Sequence, residues 1–195
     1  MPVTFNLVQD GYRFYADDGS ESASTALGTQ DTALSLDVEV RTALHLRIRL
    51  TETTGAASGA ATDDFQLQRN INGAGWQNVN AVNTGVQYSN STHLTDSAAT
   101  TERLTGATGL GSFQAGEVSE DGLVDDYQVL ASNWTEFLYS IAVNYAEVTN
   151  GDTITFRVLL NGSTLGGYSV TPTINISKAV AVGRKRAAAV GNLIF

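Results

Sequence analysis

Histidine is the side chain best suited to acid–base chemistry near neutral pH, and this chain of 195 residues contains two, His45 and His93. His45 shares one face of an alternating segment with Arg47 and Arg49, and His93 lies in a polar stretch. The chain has no cysteine, which excludes thiol nucleophiles and cysteine metal sites. Without a cysteine and without a second histidine nearby, the sequence gives no support for a nucleophile–base pair at either position. We therefore expect a protein that is not an enzyme, with both histidines as polar surface residues.

Adjacent acidic residues raise the question of a metal site. They occur at Asp17-Asp18, Asp63-Asp64 and Asp125-Asp126. Oxygen-rich loops of this kind can coordinate Ca²⁺, but the spacing here matches no regular calcium-binding loop. Nothing singles out two of the twenty acids as the carboxylate pair of a glycosidase. Solvated acidic loops are the simpler interpretation, and we predict no metal ion and no other cofactor.

Two aromatic residues, Trp76 and Tyr88, suggest a different kind of site. Flat aromatic rings combine an apolar face with a polar edge, which suits stacking against sugar rings. Large aromatic residues near strand ends also commonly form the edge of a hydrophobic core. Carbohydrate binding through Trp76 and Tyr88 is therefore an alternative hypothesis for the function.

The last segment, residues 178–195, differs in composition from the rest of the chain. It holds four of the eleven basic residues and no acid, which leaves seven bases against twenty acids before it. The preceding residues thus carry a net charge of −13 and the segment +4. Such complementarity favours an extended arm that binds an acidic neighbouring subunit. The predicted contact residues are the cations Arg184, Lys185 and Arg186 and the apolar residues Val190, Leu193, Ile194 and Phe195.

Composition and charge also limit the kinds of partner. The acidity of residues 1–177 argues against a nucleic-acid surface there, because binding phosphates requires clustered cations. No apolar run of 18 residues is present, so we predict no membrane span. The first seven residues, Met-Pro-Val-Thr-Phe-Asn-Leu, lack the charged and apolar regions of a signal peptide, and we expect synthesis in the cytoplasm.

Alternation of apolar and polar residues dominates the first 177 residues. The alternating segments are 34–40, 44–50, 65–71, 137–145, 154–160 and 168–176. The pattern predicts about ten strands, each with one buried face and one face in water, as in antiparallel sheets packed as a sandwich. We predict an all-β fold with a single antiparallel β-sandwich domain over residues 1–177, followed by the arm over 178–195.

Turn residues and register refine this prediction. Asn-Gly pairs at 72–73 and 161–162 predict two β-hairpins. Segments 54–62 and 105–124 are interpreted as loops. The apolar residues of 34–40 and 44–50 all have even numbers, so a two-residue hairpin at Arg41-Thr42 would pair apolar with polar positions. That register is excluded, which leaves an odd-numbered loop or one long bent strand.

Several short segments resemble β-sandwich domains in structural proteins of tailed bacteriophages. They are Gly11-Tyr12-Arg13-Phe14, Asp17-Asp18-Gly19-Ser20-Glu21, Phe65-Gln66-Leu67-Gln68, residues 100–106, Gly151-Asp152, Phe156-Arg157-Val158 and residues 168–172. The resemblance covers roughly residues 5–177. It implies a virion protein with an immunoglobulin- or fibronectin-type sandwich, and it carries no catalytic residue.

The resemblance and the arm together lead to a functional prediction. We expect a bacteriophage virion structural protein, a capsid decoration or cement protein of the minor capsid type, made in the host cytoplasm. Its partners would be other virion proteins, capsid or tail subunits, with the chain forming a homo-oligomer or binding to their lattice. The alternative is a carbohydrate-binding or adhesion module of a tail, collar or fibre.

Overall fold

The computed structural model describes residues 4–38, 42–59, 62–81, 85–107 and 111–178, and these form two packed β-sheets. Sheet 1 consists of β1 (Leu7–Ala16), β3 (Thr42–Glu52), β6 (Val86–Tyr88), β7 (Phe113–Ser119), β9 (Trp134–Val143) and β12 (Gly167–Tyr168). Sheet 2 consists of β2 (Leu34–Asp37), β4 (Asp63–Ile71), β5 (Gln77–Asn78), β8 (Leu123–Tyr127), β10 (Thr153–Leu160), β11 (Ser163–Thr164) and β13 (Thr173–Ser177). A 3-10 turn spans Tyr145–Glu147. The predicted all-β sandwich is confirmed, with thirteen strands in the described residues instead of about ten.

The strand order of both sheets mixes antiparallel and parallel neighbours. Sheet 1 runs β12-β1-β3-β9-β6, with β7 also against β9, and sheet 2 runs β2-β13-β10-β4-β5, with β11 against β10 and β8 against β4. Most pairs are antiparallel, but β1–β12, β2–β13 and β7–β9 are parallel. Each parallel pair joins strands that are separated by at least one strand of the other sheet, because a tight hairpin cannot connect parallel strands. The sandwich is therefore mixed, and the immunoglobulin or fibronectin type stays a prediction.

The core lies between the facing sides of the two sheets. Leu44, Leu46, Ile48 and Leu50 of β3 all point inward and are fully buried, as their alternation predicted. An aromatic cluster connects the sheets: the ring centroids of Phe65 and Phe137 are 4.9 Å apart. Edge-to-face and tilted ring contacts of this kind add to the stabilisation from burial of apolar area. The sandwich thus holds its sheets together by ordinary apolar packing.

Both predicted Asn-Gly turns are confirmed, but the second joins β10 to β11, and segment 168–176, predicted as one strand, is divided between β12 of sheet 1 and β13 of sheet 2. Asn72 and Gly73 have φ of 52° and 75° between β4 and β5. Asn161 and Gly162 have φ of 49° and 74° between β10 and β11. Positive φ at both central residues is the requirement of the type I′ turn, which Asn and Gly adopt with little strain.

Two expectations from the alternation pattern need correction. Strands β2 and β3 belong to different sheets, so the chain crosses the sandwich between them and forms neither a hairpin nor one bent strand. Residues 105–124, interpreted as a loop, contain β7 and the first residues of β8. The pairing of β7 with β9 shifts between Ala115 and Val118, and such a bulge breaks the period of two that would have revealed the strand. No strand lies within the described part of segment 54–62, residues 54–59 and 62, which confirms the loop there.

The predicted arm lies outside the described residues. Strand β13 ends at Ser177, and Lys178 is the last residue described. The predicted contact residues Arg184, Lys185, Arg186, Val190, Leu193, Ile194 and Phe195 all follow it, and their roles stay predictions. In the described part of the chain, no helix is long and apolar enough to cross a membrane.

Candidate functional site

The polar face of β3 is buried, which makes the predicted surface position of His45 wrong. His45 and Arg47 are 0% exposed, and Arg49 is 2% exposed. Segments 17–31 and 97–106 cover this face, because the bases of β3 bond to groups on both segments. Sheet 1 is therefore covered on both sides, by sheet 2 and by a layer of loops.

Arg47 is the centre of this covered face. Its Nη1 donates to Glu136 Oε2 at 3.0 Å and to the Thr101 carbonyl oxygen at 2.7 Å. Its Nη2 donates to the side chain and to the carbonyl oxygen of Glu21. One guanidinium thus connects β9 with both covering segments, and charge-assisted bonds of this kind are stronger than neutral ones.

Glu136 on β9 ties the second covering segment to the sheet. Its carboxylate accepts hydrogen bonds from the backbone N–H groups of Arg103 and Leu104, both at 2.9 Å, in addition to the bond from Arg47. Burial raises the pKa of Glu136 above its usual value, and the Arg103 and Leu104 N–H groups and the Arg47 charge act in the opposite direction. Every oxygen of this buried carboxylate therefore has a partner.

Arg49, two residues after Arg47 on β3, also connects sheet 1 to a covering segment. Its Nε donates to Asp10 Oδ1 at 2.8 Å, and its Nη1 donates to the Thr105 carbonyl oxygen at 2.8 Å. Thr51 donates to the other carboxylate oxygen of Asp10 at 2.9 Å. We call the set Asp10, Asp17, Glu21, His45, Arg47, Arg49 and Glu136 the ionic layer.

Tyr15 packs against the guanidinium groups of Arg103, Arg13 and Arg47, of which Arg47 belongs to the ionic layer. Its ring is 1% exposed and lies on the same side of sheet 1 as Arg47. The guanidinium carbon of Arg103 is 4.3 Å from the ring centroid, and those of Arg13 and Arg47 are 5.8 and 5.9 Å away. Cation–π contacts in a desolvated setting favour a charged guanidinium. The layer is thus held by packing as well as by ion pairs.

His45 lies near a serine and an aspartate, but the three groups do not form a catalytic triad. His45 Nε2 is 3.1 Å from Asp17 Oδ1, and the Ser91 hydroxyl donates to the same oxygen at 2.5 Å. The carboxylate therefore stands between the histidine and the serine, whereas a triad needs the imidazole next to the hydroxyl. His45 Nδ1 is buried without a hydrogen-bond partner. The arrangement fastens Ser91 to the sheet and does not activate it.

The position of His45 predicts a pH dependence of stability. Burial lowers the pKa of His45, although Asp17 and Asp18 act in the opposite direction. Because the unfolded chain then binds a proton more readily, stability is fully present above about pH 6.5 and is lost as the pH falls below that value, by at most about 1.4 kcal/mol per pH unit for one proton. We expect His45→Gln to reduce this slope between pH 7 and pH 5 in urea titrations. Equal slopes for wild type and His45→Gln would contradict the prediction.

Sequence reasoning missed the ionic layer, although the chain contained a signal for it. His45, Arg47 and Arg49 occupy one strand face, and the two arginines are two of the seven basic residues before the arm. In a strongly acidic chain, two cations on one strand face are expected to form ion pairs with carboxylates from other parts of the fold. Those carboxylates come from β1, β9 and segment 17–31, whose proximity only the tertiary structure reveals.

The structure places Trp76 and Tyr88 on different sheets. Trp76 precedes β5 in sheet 2, is partly exposed, and lies 4.3 Å from the guanidinium carbon of Arg157, measured to its ring centroid. Tyr88 belongs to β6 in sheet 1 and packs against the hydrophobic core. No ring contact joins them among those of the described residues. The two aromatics therefore do not form one stacking platform by direct contact.

An open pocket of about 320 Å³ lies beside β6. It is lined by Ala81, Gln87, Tyr88, Ser89 and Asn90. These described lining residues include no carboxylate, histidine or cation, and Tyr88 is the one titratable side chain among them. Within the described residues, no group of three or more His, Asp or Glu side chains is arranged to hold a metal ion.

The start of the arm is fixed at one end of the sandwich. Lys178 Nζ lies 3.9 Å from the ring centroid of Tyr145 and donates to the carbonyl oxygens of Tyr145 and Val148. The backbone N–H of Lys178 donates to Asn150 Oδ1 at 2.9 Å. Four contacts on three residues thus define the position from which the chain continues into residues 179–195.

Comparisons of the chain with protein-family models, with curated proteins and with solved structures gave no match. The fold and the contacts of the described residues therefore carry the functional argument.

Proposed function

We propose that this protein is a non-enzymatic structural protein of a bacteriophage virion, a capsid decoration or cement protein that docks on neighbouring subunits through its arm. The observation that carries the proposal is the anchoring of Lys178 on Tyr145, Val148 and Asn150. Because the arm starts from a fixed point on the domain, it can adopt fewer positions than an arm with a mobile starting point. Such restriction reduces the entropy lost when the arm binds a partner.

The charge distribution supports an arm that binds in trans. The arm carries +4 and the rest of the chain −13, so the arm of one copy is attracted to the domain of another. The ionic layer supports a structural role as well, because its charged groups bond to one another and to backbone oxygens. The virion assignment itself comes from the resemblance of residues 5–177 to phage structural proteins.

Removal of the arm is expected to abolish self-association. We expect the full chain to form oligomers at low ionic strength and a chain that ends at Lys178 to be a monomer with an unchanged melting temperature. Light scattering after size-exclusion chromatography measures both masses. The full-length variant Arg184→Gln/Lys185→Gln/Arg186→Gln removes the positive charges and keeps the apolar residues, so it tests the electrostatic part separately.

The same mass measurement at different salt concentrations tests whether the association is electrostatic. Attraction between exposed charges weakens when the Debye length falls from about 10 Å at 0.1 M to about 3 Å at 1 M salt. Oligomers of the full chain should therefore dissociate at high salt. A mass that is identical for the full and the truncated chain at every salt concentration would contradict self-assembly through the arm.

A further inference from the structure

The centre of the outer face of sheet 2 carries neutral polar side chains, whereas exposed acids lie elsewhere on the sheet, at Asp37 of β2, Asp64 of β4 and Asp125 and Asp126 of β8. Its strands β13, β10, β4 and β5 turn amide and hydroxyl side chains away from the core, in alternation with buried residues. These side chains are Gln68, Asn70, Asn78, Thr155, Thr173 and Asn175. The register places Gln68 beside Asn78, and Thr155 between Asn70 and Thr173. We call these six residues, with Trp76 and Arg157, the neutral face.

Trp76 and Arg157 provide the aromatic ring and the cation of the neutral face. Arg157 stacks on the Trp76 ring at 4.3 Å and donates from Nε and Nη2 to Gln68 Oε1 at 2.9 and 2.8 Å. Gln68 in turn donates from Nε2 to Asn78 Oδ1 at 2.9 Å. Three side chains on three strands, and Trp76 directly before β5, are thus held in place by consecutive contacts. A site that is ordered before binding loses less conformational entropy when a ligand arrives.

We propose that the neutral face binds a neutral polysaccharide. Amides and threonine hydroxyls both donate and accept hydrogen bonds, and so do the hydroxyl groups of sugars. The partly exposed indole of Trp76 supplies an apolar surface for the faces of sugar rings. Neighbouring strands of a sheet lie about 4.8 Å apart, and this regular spacing of polar groups suits an extended chain ligand.

Charge complementarity selects this ligand over other classes of partner. Arg157, the cation of the face, already bonds to Gln68, and none of the six amide and hydroxyl residues is charged. A nucleic acid needs clustered cations to neutralise its phosphates. The buried centre of a protein interface is usually rich in aromatic and other apolar residues, whereas this face has Trp76 alone among six neutral polar residues. An uncharged polymer of hydroxyl groups fits these features best.

This inference goes beyond the proposed assembly function and does not depend on the arm. It uses Trp76 without Tyr88, because Tyr88 lies in sheet 1 against the core. The alternative hypothesis from the sequence is therefore redefined: the surface is the outer face of sheet 2, and the ligand contacts are amides and hydroxyls around one indole.

The test is native affinity electrophoresis of the full chain in gels that contain one soluble polysaccharide each. The probes are galactomannan, xylan, mixed-linkage β-glucan and dextran. We expect at least one of them to retard the wild-type protein. Trp76→Ala should weaken that binding at least tenfold, and Asn78→Ala, at an exposed edge-strand residue, at least threefold. Leu130→Ala is the control, because Leu130 is an exposed apolar residue between β8 and β9, outside both sheets.

Each outcome decides the proposal. Retardation that is weakened by these amounts in Trp76→Ala and Asn78→Ala but kept in Leu130→Ala, with unchanged thermal unfolding, supports it. Absence of retardation by all four polysaccharides overturns it, and so does equal retardation of wild type, Trp76→Ala and Asn78→Ala. A chain that ends at Lys178 should bind the polysaccharide as wild type does, so failure of the assembly proposal and failure of this one are distinguishable.

Discussion

Arg47→Met is expected to lower the free energy of unfolding by about 3–5 kcal/mol, the range for removal of one partner of a buried ion pair. Methionine keeps an apolar stem in place of the arginine stem but leaves Glu136 fully buried without its cation. Glu21 and the Thr101 carbonyl lose their charged donor at the same time. The covering segments then lose their Arg47 connections to β3, and the contacts of His45 with Asp17 and of Arg49 with Thr105 remain. Urea unfolding followed by tryptophan fluorescence measures the change.

Arg13→Met is the matched control for this prediction. Arg13 lies directly opposite Arg47 in the register of β1 and β3, but it is partly exposed and donates to a neutral acceptor, the Gly28 carbonyl oxygen, at 2.7 Å. We expect a loss below about 1 kcal/mol from this variant, as for a typical single hydrogen bond. Equal losses for Arg13→Met and Arg47→Met would show that the ionic layer contributes no more than surface contacts do.

The fold was largely predictable because its core-facing residues obey the period of two. Leu44 to Leu50 alternate cleanly, and the Asn-Gly turns at 72–73 and 161–162 set the two short hairpins. Strand β7 was missed because a bulge interrupts its alternation. The three parallel pairs were missed because pairing between strands distant in sequence leaves no local pattern.

The covered face of sheet 1 shows where alternation misleads. The polar residues of β3 predicted a face in water, but a polar face can equally be buried when each charged group finds a partner. Arg47 and Arg49 find theirs on β9, on β1 and on backbone oxygens of the covering segments. Sequence order separates Arg47 from Glu136 by 89 residues, so only the folded chain reveals their contact.

The candidate binding site was also only partly predictable from the sequence. The amides and threonines of the neutral face are visible in the sequence as the polar half of an alternating pattern. Their arrangement around Trp76 depends on the register of β4, β5 and β10. The sequence therefore identified Trp76 as a candidate but could not supply its neighbours, and it paired Trp76 with Tyr88, a residue of the other sheet.

Glu52 is expected to be a second major contributor to stability, and one that acid removes. Its carboxylate accepts hydrogen bonds from the Thr54 hydroxyl at 2.5 Å and from the backbone N–H groups of Thr54, Gly55 and Ser132 at 2.7–2.9 Å. Burial opposes ionisation, but these bonds outweigh it and lower the pKa of Glu52 from 4.5 to about 2. We expect Glu52→Gln to lower the free energy of unfolding at pH 7 by about 2 kcal/mol, the range for hydrogen bonds to a charged group.

The pH dependence of stability distinguishes the contribution of the Glu52 charge from the contribution of the side chain's shape. Because its folded pKa lies below the unfolded value, its contribution is fully present above about pH 4.5 and is lost as the pH falls from 4.5 towards 2. The difference in unfolding free energy between wild type and Glu52→Gln should therefore shrink over that range in urea titrations. Glu147→Gln is the control, because Glu147 is exposed and its carboxylate accepts no hydrogen bond within the described residues. A difference between wild type and Glu52→Gln that stays constant from pH 7 to pH 2 would mean that the side chain acts through its shape and neutral hydrogen bonds, and that its ionisation contributes nothing to the fold.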